Sequence, residues 1–249
     1  MTAIPPKGNQ LRILHTSDVH VGEGDSGRPE YLESHSPQSL KAVVNLAIKV
    51  NADMVIFAGD LFEWNSVSPH IVRFTKEQIC RLQVPAIILP GNHDCLDSNS
   101  IYHKIDFFED APHVHIFRQQ DGETFSFPHL DVAVWGRPIY SYEIDFQPLS
   151  SIPARGQEKW HIAVAHGFYV KPEPDTFFNV RMSWQISQDD IITSERDYIA
   201  LGHAEGFACV CNDPVKAYYS GSPSTTGAAL IVDFVDGIGA QVLSCPLYG

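Results

Sequence analysis

Acidic, amide and imidazole side chains follow five apolar segments of this 249-residue sequence. They lie in the short motifs Asp18-Val19-His20, Gly59-Asp60, Gly91-Asn92-His93-Asp94, His166-Gly167 and Gly202-His203-Ala204-Glu205. If the apolar segments are strands, the motifs follow their carboxyl ends, which share a crevice in an open α/β sheet. Carboxylates and imidazoles that meet in such a crevice can hold two divalent cations, and two metals together can activate water against a phosphate ester.

The motifs offer complementary kinds of metal ligand. Asp18 and His20 are one residue apart, so both side chains can turn to one side of an extended strand end and bind one ion. Asp60 has two carboxylate oxygens with which it can bridge two cations, and the glycine before it permits close approach of the backbone. The remaining candidates are the amide of Asn92 and the imidazoles of His166 and His203. Any one of these motifs alone can arise by chance in a sequence, but five of them in this order favour a binuclear metal site.

Hydrophobic patterning places the first three motifs in a βαβαβ unit. The sequence predicts strands at residues 11–16, 54–58 and 85–89. A helix is expected from Ser36 as N-cap, with Pro37 in its first turn, and a second helix is expected from Ser68-Pro69. Right-handed crossovers would make this unit the first layer of a parallel sheet.

The second half of the chain is richer in short strands. These are predicted at residues 113–117, 123–127, 130–135, 161–165, 198–201, 208–211, 215–219, 229–235 and 241–244, with a helix near 187–192. Two packed sheets flanked by helices would account for this order. No repeat, low-complexity tract or linker divides the sequence, so residues 11–249 are expected to form one catalytic domain behind a flexible leader at 1–10.

Composition restricts the classes of function. No apolar run is long enough to span a membrane, and the first residues lack the apolar core of a secretory signal. Five scattered cysteines without CxxC spacing fit a reduced, cytoplasmic setting. The formal net charge of -13 argues against a long nucleic-acid-binding surface. It does not exclude a nuclease, because bound cations would add positive charge where a phosphate must lie.

Four longer segments carry a resemblance to a known family. They read Leu14-His15-Thr16-Ser17-Asp18-Val19-His20-Val21-Gly22, Gly59-Asp60-Leu61-Phe62, Asp197-Tyr198-Ile199-Ala200-Leu201-Gly202-His203 and Tyr219-Ser220-Gly221-Ser222-Pro223. Over nearly its whole length the chain resembles the calcineurin-like metallophosphoesterase superfamily, and within it the SbcD-type DNA repair exonucleases. The resemblance implies an α/β fold of four layers, α/β/β/α, in which helices flank two mixed sheets.

The resemblance also implies how the motif residues act. The first metal would take Asp18, His20 and Asp60, and the second would take Asp60, Asn92, His166 and His203. His93 would stabilise charge on the scissile phosphate or protonate the leaving oxygen, while Asp94 would either orient His93 or cap its loop. The implied cofactors are two divalent metal ions, Mn first, with Mg, Fe or Zn as alternatives.

The implied activity is hydrolysis of a phosphate ester by in-line attack of a hydroxide that bridges the two metals. A phosphodiesterase or exonuclease-like nuclease acting on DNA or nucleotides is favoured over a phosphatase or a small-nucleotide phosphodiesterase. The other alternative is a non-catalytic scaffold that keeps the fold and binds a partner protein. It is disfavoured because the main candidate ligands are all present.

The sequence departs from the family pattern at several positions. The family motif Gly-His-x-His ends in a histidine that ligates the first metal, whereas this chain has Glu205 there. Its carboxylate would ligate a hard cation such as Mn or Mg, or else point to solvent, and ligation is favoured. Glu63 lies where related exonucleases carry a polar residue that assists catalysis, and it would do the same or cap the next helix. SbcD-type exonucleases also continue into a capping domain and a segment that docks a partner ATPase; neither is evident after Ser222-Pro223.

Aromatic and basic side chains are expected at the rim of the cleft. Three aromatic residues flank the motifs and would either stack on a base or pack internally, packing being the commoner outcome: Trp64, Phe168 and Tyr169. A long loop over residues 169–181 is predicted to line the cleft. Its Lys171 or Arg181 would contact substrate phosphate.

Overall fold

We describe a computed structural model of this chain for residues 7–8, 10–25, 29–105, 111–141, 145–171 and 184–248. Most of the predicted leader at 1–10 lies outside these described residues. The same is true of the predicted cleft loop beyond Lys171, including Arg181. The organisation of residues 11–249 as a single domain stays a prediction.

The described residues form fourteen strands. In chain order they are β1 (Leu11–Thr16), β2 (Met54–Ala58), β3 (Ala86–Leu89), β4 (Val114–Ile116), β5 (Glu123–Phe127), β6 (Val132–Gly136), β7 (Trp160–His166), β8 (Phe168–Val170), β9 (Gln185–Ser187), β10 (Tyr198–Gly202), β11 (Ala208–Cys211), β12 (Lys216–Tyr219), β13 (Ala228–Val235) and β14 (Gly239–Pro246). Every predicted strand is present, with ends that differ by two residues at most. The short strands β8 and β9 were not predicted.

Both predicted crossover helices are present among the helices of the described residues. These are a 3-10 helix at Pro29–Glu33 and the α-helices α1 (His35–Lys49), α2 (Pro69–Cys80), α3 (Ile101–Lys104), α4 (Gln188–Thr193) and α5 (Pro223–Thr226). The N-cap of α1 is Ser34, so the predicted cap at Ser36 is wrong by two residues. Pro37 is tolerated in the first turn, where its missing N–H has no helical partner to lose. No helix in these ranges is both long and apolar enough to cross a membrane.

Two six-stranded mixed sheets form the body of the fold. The first has the order β14-β13-β1-β2-β3-β4, in which β1 to β4 are parallel and β13 and β14 are antiparallel additions. The second has the order β11-β12-β10-β7-β6-β5, in which β6, β7, β10 and β12 are parallel. The two unpredicted strands, β8 and β9, pair with each other outside both sheets.

Successive side chains along a buried strand point to opposite faces of its sheet. Each sheet therefore contributes apolar side chains to the core between the sheets and to the core beneath its helices. In β1, Ile13 lies in the apolar core between the sheets, whereas Leu14 lies in the core beneath α1 and α2. In β7, Ile162 faces the first sheet and Ala163 packs with Ile191 of α4. Helix, sheet, sheet and helix therefore follow one another, and the predicted α/β/β/α class is confirmed.

Polar contacts fix β1, the strand that leads into the first motif. Arg12 and Asp233 of β13 form a buried bidentate ion pair, with both N–O distances 2.7 Å. His15 is fully buried, and its Nδ1 lies 2.9 Å from the hydroxyl of Tyr198 on the second sheet. The first contact pairs β1 with its neighbour, and the second joins it to the opposite sheet.

Candidate metal centre

The five motifs follow the carboxyl ends of strands in both sheets. β1, β2 and β3 belong to the first sheet, and β7 and β10 to the second. Two glycines let these ends approach each other. A Cβ atom added to Gly59 would lie 1.9 Å from Nδ1 of His166, and one added to Gly202 would lie 1.8 Å from the backbone oxygen of Ala58. Any larger residue at either position would displace His166 or separate the strand ends.

Four of the candidate ligands have positive φ angles: Asp18 at 53°, His20 at 53°, Asp60 at 51° and His203 at 101°. Residues other than glycine rarely adopt such angles, which cost about 1–3 kcal/mol each when the surrounding structure enforces them. Backbone hydrogen bonds hold two of these residues, Asp18 and His20, in place. The N–H of Asp18 donates to the oxygen of Gly59, and the N–H of His20 donates to that of Asp60, each at 3.0 Å. Such a concentration of unusual conformations is typical of a functional site.

The first cluster of candidate ligands consists of the residues expected to hold the second metal. It contains Asp60, Asn92, His166 and His203. Nε2 of His166 lies 3.1 Å from Oδ2 of Asp60 and 2.9 Å from Oδ1 of Asn92. Nδ1 of His203 lies 3.0 Å from that Asn92 oxygen. On its other side, Nδ1 of His166 donates to the backbone oxygen of Ala58 at 3.0 Å. In the neutral ring this leaves the Nε2 lone pair directed into the cluster, as in a metal-ligating histidine.

The second cluster consists of the residues expected to hold the first metal. It contains Asp18, His20 and Asp60, whose ligand atoms lie within 4.8 Å of one another. Nε2 of His20 is 4.0 Å from Oδ1 of Asp18. The backbone N–H of His203 donates to the Asp18 carboxylate, with distances of 3.1 and 2.9 Å to its two oxygens. Asp60 belongs to both clusters.

Glu63 connects the second cluster to His93. Its Oε2 lies 2.8 Å from Nδ1 of His20, and its Oε1 lies 3.4 Å from Nδ1 of His93. The two imidazole rings meet edge to face, with centroids 4.7 Å apart. The N-cap position of the next helix, α2, is Ser68, so the alternative role of Glu63 as a helix cap is wrong. The Glu63 carboxylate lies between two imidazoles of the centre.

His93 is the more accessible of the two candidate catalytic residues. Its backbone N–H donates to Oδ1 of Asp60 at 2.9 Å, which ties the loop to Asp60. Its ring Nδ1 lies 3.1 Å from the backbone oxygen of Glu63, and a carbonyl can only accept a hydrogen bond. Nδ1 therefore carries a proton, and Nε2 is the nitrogen available on the opposite side of the ring. The side chain is 32% exposed, which permits contact with a substrate.

Asp94 is fully buried, and its contacts fit the predicted loop cap. Its carboxylate accepts hydrogen bonds from the backbone N–H groups of Gly91 at 2.8 Å and Phe62 at 3.1 Å. The hydroxyl of Tyr102 donates to it at 2.6 Å. Burial and the nearby charge of Asp60 raise the pKa of Asp94 to about 6. These bonds hold together the loops that follow β2 and β3.

Glu205 lies away from the two clusters. Its side chain is exposed, and its Oε2 accepts a hydrogen bond from the hydroxyl of Thr225 at 2.8 Å. It is absent from the groups of converging ligand atoms found among the described residues. Its contacts are those of the solvent-facing alternative, and metal ligation by Glu205 stays a prediction.

The aromatic residues at the rim divide into two kinds. Tyr169 is half-buried, and its hydroxyl donates to Gln188 at 2.8 Å, so it packs internally. Trp64 and Phe168 are exposed, and each touches an imidazole of the centre. Trp184, which no sequence pattern singled out, lies with its ring centroid 6.2 Å from that of His203.

The charges of the two clusters depend on one another. Burial alone would lower the pKa of His166, but the carboxylates of Asp60 and Asp18 raise it to about 9. Burial would raise the pKa of Asp60, yet the adjacent His166 holds it well below its usual value. Burial and the charge of His166 lower the pKa of His203 to about 4. A proton on His166 thus balances part of the negative charge, a role that a divalent cation would take over on binding.

One family model matches nearly the whole chain, and individual relatives match parts of it. A sequence model of the family described as Calcineurin-like phosphoesterase matches residues 11–239. The metallophosphoesterase YhaO of Bacillus subtilis is 27% identical over 213 residues, which cover 78% of this chain and 48% of that protein. The DNA double-strand break repair protein Mre11 of Archaeoglobus fulgidus is 29% identical over 100 residues, covering 39% of this chain and 22% of that protein. The chain thus spans about half or less of the length of these curated relatives.

Solved structures share the fold. The structure of TT1561 from Thermus thermophilus superposes with a TM-score of 0.57 and 12% sequence identity, over 96% of this chain and 100% of that one. At such low identity the similarity concerns the fold alone. It agrees with the predicted arrangement of two mixed sheets between helices.

Proposed function

This chain belongs to the calcineurin-like phosphoesterase family, and on that basis we propose that it is a phosphodiesterase that uses two divalent cations. The observation that carries the proposal is the position of Asp60. One of its carboxylate oxygens lies 3.1 Å from Nε2 of His166, and the residue also belongs to the cluster of Asp18 and His20. A carboxylate shared by two sets of ligands is what a pair of metal ions requires.

The chemistry of the ligands fits such ions. Asp18, His20 and Asp60 would hold one cation, and Asp60, Asn92, His166 and His203 would hold the other. Carboxylate oxygens, an amide oxygen and imidazoles suit Mn, Mg, Fe or Zn, and Mn is our first choice. When bound, the pair would polarise the phosphoryl oxygens and lower the pKa of a water molecule. The hydrogen bond from His166 to Ala58 sets the ring orientation before any ion binds.

His93 would assist the departure of the leaving group. The contacts of its Nδ1 with Glu63 direct Nε2 away from the loop, and a protonated Nε2 can donate to the leaving oxygen. Glu63 would position both His93 and His20, since its two carboxylate oxygens face the Nδ1 atoms of the two rings. Asp94 would act only indirectly, through the loop that carries His93.

The proposal of a diester substrate, with DNA as the first class to test, draws on the relatives. Two archaeal relatives, from Archaeoglobus fulgidus and Saccharolobus solfataricus, are named DNA double-strand break repair protein Mre11. The segments that carry the sequence resemblance are also those of DNA exonucleases. A partner ATPase and an action on DNA ends remain proposals, because the chain covers only a part of those proteins.

The first experiment compares a diester with a monoester. We expect the chain supplied with Mn to hydrolyse bis-p-nitrophenyl phosphate, and a His93→Ala variant to lose most of this turnover while still binding metal. Turnover of p-nitrophenyl phosphate alone would replace the phosphodiesterase by a phosphatase. No turnover of either ester by a metal-loaded preparation would contradict the proposal and favour a non-catalytic scaffold.

A pair of substitutions tests whether Glu63 or Glu205 contributes to metal binding. We expect Glu63→Gln to weaken Mn binding and diester turnover about 10- to 100-fold, the usual effect of removing a carboxylate that orients a ligating histidine. Glu205→Gln is the matched comparison: a side chain that only contacts Thr225 should change neither when substituted, whereas the predicted metal ligand should weaken Mn binding. Mn binding is measured by calorimetry. A larger loss of affinity in Glu205→Gln than in Glu63→Gln would assign the ligand role to Glu205.

A further inference from the structure

Two exposed aromatic rings adjoin different imidazoles of the candidate centre. Trp64 is 55% exposed, and its ring centroid lies 5.6 Å from that of His93. Phe168 is 47% exposed, and its ring meets that of His203 nearly at a right angle, with centroids 4.0 Å apart. His93 adjoins the cluster of His20, while His203 belongs to the cluster of Asp60 and His166.

Both rings are carried by anchored backbone. The residue after Trp64, Asn65, donates from its side-chain amide to the backbone oxygen of Cys95 at 2.9 Å and accepts from the N–H of Ile101 at 2.9 Å. The N–H of Phe168 donates to the backbone oxygen of Trp184 at 2.7 Å. The backbone that carries or adjoins each ring is therefore fixed.

Their position separates these rings from ordinary exposed apolar side chains. Single apolar residues at a surface need no explanation, and Phe207, which is 48% exposed, is one of them. Trp64 and Phe168 differ because each contacts an imidazole of the candidate centre. An aromatic face at that place offers a stacking surface to a planar group next to the phosphate.

The charge of the chain favours stacking over phosphate contacts as the source of binding energy. The formal net charge is -13, so phosphates away from the cations would be repelled rather than attracted. Stacking of a base on an aromatic side chain needs no charge and accepts any base. In a duplex the base must first leave its stack and its pair, which costs a few kcal/mol, whereas a single strand presents it freely.

We propose that Trp64 and Phe168 are stacking platforms for the bases on either side of the scissile phosphate, and that the substrate is a short single-stranded oligonucleotide. The inference rests on the proposed phosphodiesterase function and adds the substrate class. Trp64 would take the base on the side of His93, and Phe168 the base on the side of His203.

Binding of a hydrolysis-resistant hexamer tests the inference apart from catalysis. The probes are a fluorescein-labelled hexathymidylate with phosphorothioate linkages and an abasic hexamer with the same linkages, each titrated with the Mn-loaded chain and followed by anisotropy. We expect the thymidylate to bind more tightly than the abasic strand, and Trp64→Ala and Phe168→Ala each to weaken its binding roughly 5- to 100-fold. Trp64→Phe, which keeps an aromatic ring, should retain most of the affinity.

Controls distinguish stacking from general damage. Phe207→Ala removes an equally exposed ring outside the centre and should bind the thymidylate like the parent chain. Equal binding of the thymidylate and abasic strands would overturn the inference, as would losses in Trp64→Ala and Phe168→Ala no larger than in Phe207→Ala. Tighter binding of a duplex of the same length would also overturn it. Hydrolysis of bis-p-nitrophenyl phosphate by the parent chain decides the proposed function separately, so either can fail alone.

Discussion

We expect Asp60→Asn to release metal from both clusters and to lower diester turnover by more than about 100-fold, the upper range for a residue that only orients a ligand. Asp60 is the residue common to the two clusters, so its loss affects both ions at once. Asparagine has nearly the same shape and tolerates the positive φ of 51° at this position, so the fold should persist. Metal content after gel filtration and turnover at saturating Mn are the measurements.

Asp121→Asn provides the matched control, because Asp121 is an exposed carboxylate in a turn. It should keep the metal content and turnover of the parent chain. Two bound Mn ions per chain in Asp60→Asn would contradict the assignment of Asp60 as the bridge.

The pKa of His166 in the metal-free protein is a second measurement that tests the Asp60→Asn substitution. The carboxylate of Asp60 helps to raise the pKa of His166 to about 9 by stabilising the imidazolium form. Removing that negative charge should therefore lower the pKa of His166, and the proton should leave at a lower pH. An NMR titration of the histidine ring protons measures this shift. An unchanged pKa would mean that the two side chains do not interact in solution.

Gly59→Ala should be among the most destabilising single substitutions in this chain. The added Cβ would lie 1.9 Å from Nδ1 of His166, and φ at this position is +96°. Either the sheets separate or His166 loses its hydrogen bond to Ala58, and both outcomes disturb the centre. We expect a loss of at least about 3 kcal/mol in the free energy of unfolding, with reduced Mn affinity, measured by urea denaturation and calorimetry.

Gly237→Ala separates crowding from backbone strain. Gly237 has a similar positive φ of +74°, but an added Cβ there meets nothing within 4 Å. Its substitution should cost only the backbone strain, about 1–2 kcal/mol. If Gly59→Ala were no more destabilising than Gly237→Ala, the close contact between strand ends would not be a constraint on this position.

Local patterns in the sequence were enough to predict much of the fold and most members of the centre. Strands are local features, so apolar runs predicted all strands of the two large sheets to within two residues. Each motif follows such a run directly, which is why Asp18, Asp60 and His166 could be selected without a structure. The glycine before Asp60 could also be recognised in the sequence as a site of close backbone approach, because such an approach leaves no room for a side chain.

Which side chains face one another could be learned only from the packing of the whole chain. Glu63 and Glu205 are both glutamates close to a motif, and nothing in their local sequence distinguishes a carboxylate that meets His20 from one that meets Thr225. Equally, the insertion of β13 beside β1 and the meeting of Gly202 with Ala58 join residues far apart in the chain. Such contacts follow from how the two sheets pack, and packing depends on all the elements together rather than on any short segment.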